Sequence, residues 1–117
     1  MPKTTTIKIN SKCDVENHRS MSLTDSHGLP SQAKWQNKDP NFEYAITLPD
    51  GIWESVDTAC SNSLSFTVQK KGVKGDTSCV YKVVSGLGVS HYKVQCSDGT
   101  LCVFTLNPQD PDVIINS

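Results

Sequence analysis

The chain has 117 residues, enough for one domain with one hydrophobic core and too few for two. Apolar residues make up 36%, charged residues 20%, and the formal net charge is −1, a balance that excludes collagen-like, coiled-coil and disordered chains. With 11 Lys+Arg against 12 Asp+Glu the chain is no strongly basic nucleic-acid binder, and no stretch approaches the ~20 apolar residues that cross a bilayer.

Residue choice favours strands: 11 Val and 10 Thr stand against 3 Ala and 3 Glu. Branched side chains lose freedom in a helix but sit well on a pleated sheet. Ile7 and Ile9 alternate with Lys8 and Asn10, which predicts a half-buried strand over 4–10. Met21 and Leu23 do the same over 20–24, before the turn Asp25-Ser26-His27-Gly28. Residues 25–41 hold two Pro, Gly28 and a lone Trp35 among polar residues, and predict a long loop or a short helical turn. Phe42, Tyr44, Ile46 and Leu48 occupy every second position and predict a strand that Pro49-Asp50-Gly51 ends. A weaker strand follows at 52–56, and Leu64, Phe66 and Val68 alternate again through 63–70. A charged connection over 70–76 then returns the chain through the apolar run Cys79–Val84.

The pair 89–97 and 100–106 permits a register argument. Tyr92, Val94 and Cys96 share one face of the first strand, and Cys102, Phe104 and Leu106 share one face of the second. A two-residue Asp98-Gly99 loop puts Phe104 on the wrong face. A three-residue Ser97-Asp98-Gly99 loop, with Gly99 left-handed in a bulge, pairs Tyr92 with Phe104 and Val94 with Cys102. That register leaves Cys96 diagonal to Cys102, a poor geometry for a bridge, whereas a five-residue loop would set them opposite. Pro108 and Pro111 then bracket a turn before a closing strand over 112–116. The pattern predicts an all-β fold, an immunoglobulin-like antiparallel β-sandwich of seven to nine strands over 1–117, with a small closed barrel as the alternative.

Cys13, Cys60, Cys79, Cys96 and Cys102 form an odd set, and no N-x-Ser/Thr acceptor occurs. Residues 1–8 lack an apolar signal region. These features favour a reducing, cytoplasmic location with free thiols, one or two disulfides being the competing arrangement. No metal site is expected, because no C-x₂₋₄-C knuckle is present and His18, His27 and His91 are scattered. No catalytic residues are assigned. Gly88-Val89-Ser90-His91 has Tyr92 where a nucleophile elbow needs Gly, and Ser90 and His91 point to opposite faces of a strand. Gly86-x-Gly88 and the Lys70, Lys71, Lys74 cluster precede no helix, so neither forms a phosphate cradle, and no cofactor is expected. The lysines read as a solvated turn that discourages edge pairing.

Asn107-Pro108-Gln109-Asp110-Pro111-Asp112-Val113-Ile114-Ile115-Asn116 resembles the end of the small bacterial proteins of the DP-EP family, in which Asp-Pro leads into a last apolar strand. The size and strand pattern are also similar to those of PixA-like inclusion-body proteins. The resemblance implies a bacterial β-sandwich without an assigned activity, and it carries no functional residues over. Three functions are therefore weighed. The first is a non-enzymatic module that pairs with another protein chain or its own copy through edge strands at 4–10 and 112–116. The second is a carbohydrate or small-ligand module using Trp35, Tyr44 and Trp53, with Trp35 the ring expected to be exposed. The third is a metal or thiol redox protein using Cys60, Cys79, Cys96 or Cys102.

Overall fold

A computed structural model of the chain describes residues 4–57, 60, 63–103 and 109–117, and every regular element in them is a strand. In chain order these are β1 (Thr4–Asn10), β2 (Asp14–Val15), β3 (Arg19–Ser22), β4 (Gln32–Asn37), β5 (Tyr44–Thr47) and β6 (Trp53–Ser55). They continue with β7 (Ser65–Val68), β8 (Tyr81–Val83), β9 (Gly88–His91), β10 (Lys93–Cys96) and β11 (Asp112–Asn116). The strands form three open sheets, ordered β2-β1-β4-β8-β6, β10-β5-β7 and β3-β11-β9.

Most of the strong alternations behave as expected. Ile7 and Ile9 on β1, Tyr44, Ile46 and Leu48 around β5, and Val113 and Ile115 on β11 point into the core, whereas Phe42, expected on the same face as Tyr44, precedes β5 and is exposed. The 97–99 connection also follows its expected register. Cys96 N–H donates to the Thr100 carbonyl at 2.8 Å, Cys102 N–H donates to Val94 at 2.8 Å, and Gly99 is left-handed at φ 96°. Phe104 and Leu106, which complete that strand in the sequence reading, lie outside the described residues.

Several expectations are corrected. Residues 25–41 are not one long loop, because 32–37 forms β4, the middle strand of the five-stranded sheet. Its inward set is Ala33, Trp35 and Asn37, all fully buried. Six consecutive parallel pairings with β1, from Thr4↔Gln32 to Ile9↔Asn37, hold it in place. A second parallel pairing joins β11 to β3, so the sheets are not purely antiparallel. The described residues form eleven short strands where seven to nine were expected, partly because the run 89–97 breaks at Tyr92 as the chain leaves one sheet for another. The strands expected at edges are interior. β11 lies between β3 and β9, while β1 has β4 on one side and β2 on the other. Arg19 further caps β1 by donating to the Thr6 carbonyl at 3.3 Å.

Trp35 is the hub of the core. Its ring meets Trp53 at 5.5 Å, Tyr92 at 5.4 Å and Tyr81 at 6.2 Å edge-on, and lies tilted against Phe66 at 5.8 Å. Those partners come from β6, β8, β7 and the β9–β10 junction, so one side chain touches two sheets and the residue that links the second to the third. Edge-to-face pairs of this kind add about 0.5–1.5 kcal/mol each beyond the area they bury.

Candidate functional site

The richest polar cluster is buried where β1 and β4 end and β5 begins. Asn37, the last residue of β4, donates from Nδ2 to the carbonyls of Phe42 at 2.8 Å and Gln69 at 2.9 Å. Its Oδ1 accepts from Asp39 N–H at 2.8 Å. Asp39 in turn accepts from the Tyr44 hydroxyl at 2.6 Å and from Asn41 N–H at 2.8 Å. Cys13 N–H then donates to the Tyr44 oxygen at 3.2 Å, completing a chain from the β4 end to the β1–β2 turn.

Burial pushes the Asp39 carboxyl up, but hydrogen bonds from the Tyr44 hydroxyl and from the backbone of Asn41, Lys12 and Phe42 outweigh it. The net result is a carboxyl below its ordinary 3.8. Burial first, and the Asp39 hydrogen bond second, raise the Tyr44 phenol above its ordinary 10. The hydroxyl therefore stays protonated and donates. Asp39 and Tyr44 are both covered, and the contacts fix the turn after β4 to β5, to Gln69 and to the β1–β2 turn. The arrangement is a clamp.

Outside the clamp the β1–β2 turn is stapled by a disulfide from Cys13 to Cys102, with Cα atoms 5.0 Å apart. A second disulfide joins Cys60 to Cys79, with Cα atoms 6.6 Å apart, and Cys96 is a buried free thiol on β10. This corrects the free-thiol expectation: two pairs and one buried leftover account for the odd count. The part of the argument for a reducing location that rested on free thiols is withdrawn with it. Asp57, Cys60 and Cys79 bring ligand atoms within 4.8 Å of one another, but the bridge leaves those sulfurs no thiolate to offer a metal.

A cleft of about 610 Å³ opens beside the first disulfide, lined by Lys12, Asp14, Asn17, Leu101, Val103 and Pro111 among others. Lys12 and Cys13 are left-handed at φ 65° and 64°, as is His18 at 58°. The His18 ring and backbone N–H both meet the same oxygen of buried Asp112, at 2.8 and 3.0 Å. That double contact anchors the strained residue to the start of β11. Ser90 and His91 face opposite sides as expected, with Ser90 opposite Val113 and the His91 ring against the Asp110 carbonyl at 2.9 Å.

The three aromatic residues expected to bind a ligand are all in the core. Trp35 and Tyr44 are fully covered and Trp53 is 3% exposed, so none presents a ring face to solvent. The expected exposure of Trp35 is corrected by β4, which turns the ring inward. Sequence reading missed Asn37 and Asp39 because Asn37-Lys38-Asp39-Pro40 is ordinary turn chemistry. The usable signal was the period-2 series Ser31, Ala33, Trp35, Asn37, all buried. The chain matches no family model, no curated protein and no solved structure.

Proposed function

We propose that the chain is a non-enzymatic interaction module, an immunoglobulin-like β-sandwich of the DP-EP kind, that works by pairing a sheet edge with another protein chain, its own copy first. One observation carries the reading: among the described residues β9 pairs only with β11, and none of them pairs with its other edge. Beside it stand Leu87 and Val89, at 68% and 59% exposure the two most exposed large apolar side chains described. The two-layer arrangement is supported by a molecule only 21 Å across its thinnest axis, which suits two sheets about 10 Å apart.

Polar side chains elsewhere serve the architecture, as the Asn37–Asp39–Tyr44 clamp does, and this favours a binding surface over a reaction centre. Sedimentation velocity over a concentration series tests the reading. A reversible monomer–dimer equilibrium is expected, and a strict monomer at the highest accessible concentration refutes it.

A further inference from the structure

We infer that β9 pairs antiparallel with β9 of a second copy about a two-fold axis at Ser90, an inference that rests on the interaction reading above. The direction of each backbone group on β9 follows from its pairing with β11. Tyr92 N–H donates to the Pro111 carbonyl at 2.9 Å, in step with Ser90↔Val113 and Gly88↔Ile115. In an antiparallel ladder alternate residues exchange the hydrogen bonds. Ser90 and Gly88 therefore spend their N–H and C=O on β11, while those of Val89 and His91 point to the open edge.

A two-fold at Ser90 sets Val89 opposite His91 of the copy and His91 opposite Val89 of the copy. All four outward groups of each strand are then satisfied. Centring the axis on Val89 instead would require Leu87 to bond His91 of the copy, and the left-handed Gly88, at φ 93°, interrupts the extended backbone between them. The two-fold at Ser90 uses only residues of the strand.

Charge separates this edge from the others. Val84 to Ser90 hold no charged residue, and His91 faces Val89 of the copy rather than its own counterpart, so no like charges are set directly opposite. At the other edges β2 carries Asp14, β6 carries Glu54, β3 carries Arg19 and β10 carries Lys93, whose sheet edge is also met by the Gln95↔Leu101 bridge. Charges on an edge are how sheet proteins resist pairing. β7 is uncharged, but it runs into Lys70 and Lys71, and its Phe66 ring is spent on Trp35 and Tyr81. Among the described edges, β9 alone combines an unpaired ladder, no Asp, Glu, Lys or Arg, and exposed apolar side chains.

Cysteine scanning of the intact, oxidised protein tests the register. In a non-hydrogen-bonded antiparallel pair the Cα atoms are about 4.5 Å apart, inside the range a disulfide spans. Ser90→Cys is expected to form an intermolecular disulfide dimer. Val89→Cys is expected not to, because its own copy sits about 8–9 Å away on the diagonal. Val89→Pro removes an outward N–H without touching the β11 ladder, and Val89→Lys adds an edge charge; each is expected to weaken the dimer about tenfold or more. Circular dichroism of the Lys variant confirms that its fold is intact. A wild-type dimer in which Val89→Cys bridges and Ser90→Cys does not, or which Val89→Lys leaves unweakened, overturns this pairing while leaving self-association standing. A strictly monomeric wild-type protein overturns both.

Discussion

Removing the Cys13–Cys102 bridge, by Cys13→Ala with Cys102→Ala, should be the most damaging paired substitution outside the aromatic core. The bridge closes a span of 89 residues, against 19 for Cys60–Cys79. The smaller loop is nested in the larger, so the free path the outer bridge closes is about 70 residues. Loop-closure entropy then assigns about 4.4 kcal/mol to the outer bridge and about 3.2 kcal/mol to the inner one. Packing widens the gap, since Cys102 is buried while Cys60 and Cys79 are each partly exposed. Domains of this size are stable by only about 5–15 kcal/mol, so either loss is a large fraction of the total. Equilibrium urea unfolding of the two double variants against the oxidised protein measures both terms. Thiol titration in denaturant should find one reactive thiol per chain, Cys96. Five thiols in protein handled without reductant, or an outer-bridge variant as stable as the inner-bridge variant, would refute the reasoning.

Trp35→Ala should cost about 3–5 kcal/mol or prevent folding, because it empties the centre of the aromatic cluster; urea midpoints or soluble yield show it. The pH dependence turns on Asp39, whose carboxyl is lowered on folding despite its burial. Its stabilisation is present above the unfolded value of about 3.9 and fades as pH falls through the lower folded value, so Asp39→Asn should show a shallower loss of stability below about pH 4 than the parent chain. A steeper acid limb in Asp39→Asn would contradict the sign. Tyr92→Phe makes the opposite kind of prediction. The Tyr92 hydroxyl is buried, and the neighbouring Trp35 indole falls short of hydrogen-bond geometry with it, so the variant should be neutral or up to about 1 kcal/mol more stable in thermal unfolding.

How much of this was legible follows from which residues carried each element. β1 and β5 were legible because large apolar side chains recur at every second position, and only a sheet uses that period, while β11 was legible as a short branched apolar run after a proline turn. The hairpin register was legible because face parity leaves few loop lengths that keep Val94 and Cys102 on one side. β4 was not. Its inward residues are Ala33, Trp35 and Asn37, its outward ones are Gln32, Lys34 and Gln36, and Pro30 and Pro40 bracket it like a loop. Parallel pairing to β1, a partner 28 residues earlier, makes it a strand, and no local propensity records that. The disulfides were hidden for the same reason. Cys13 meets Cys102 only because the β1–β2 turn and the residues after the 97–99 hairpin converge at one end of the sheets, and spacing carries no such information.

The contrast between β4 and β9 bears on function. β4 has a mixed sequence, yet both its edges are paired and its tryptophan lies at the centre of the core. β9 has the exposed valine and uncharged backbone of a strand that pairs readily, yet one of its edges meets nothing among the described residues. An open apolar edge invites association with any extended chain, so a sequence that neither charges nor covers it carries a continuing risk of aggregation. The chain charges the edges at Asp14, Arg19, Glu54 and Lys93, so the remedy is in use elsewhere in the same molecule. Leaving β9 bare is therefore consistent with a working state in which that edge is occupied. A two-fold pairing does this with the fewest requirements, because each copy supplies the strand that the other lacks and the closed dimer has no open β9 edge left to propagate.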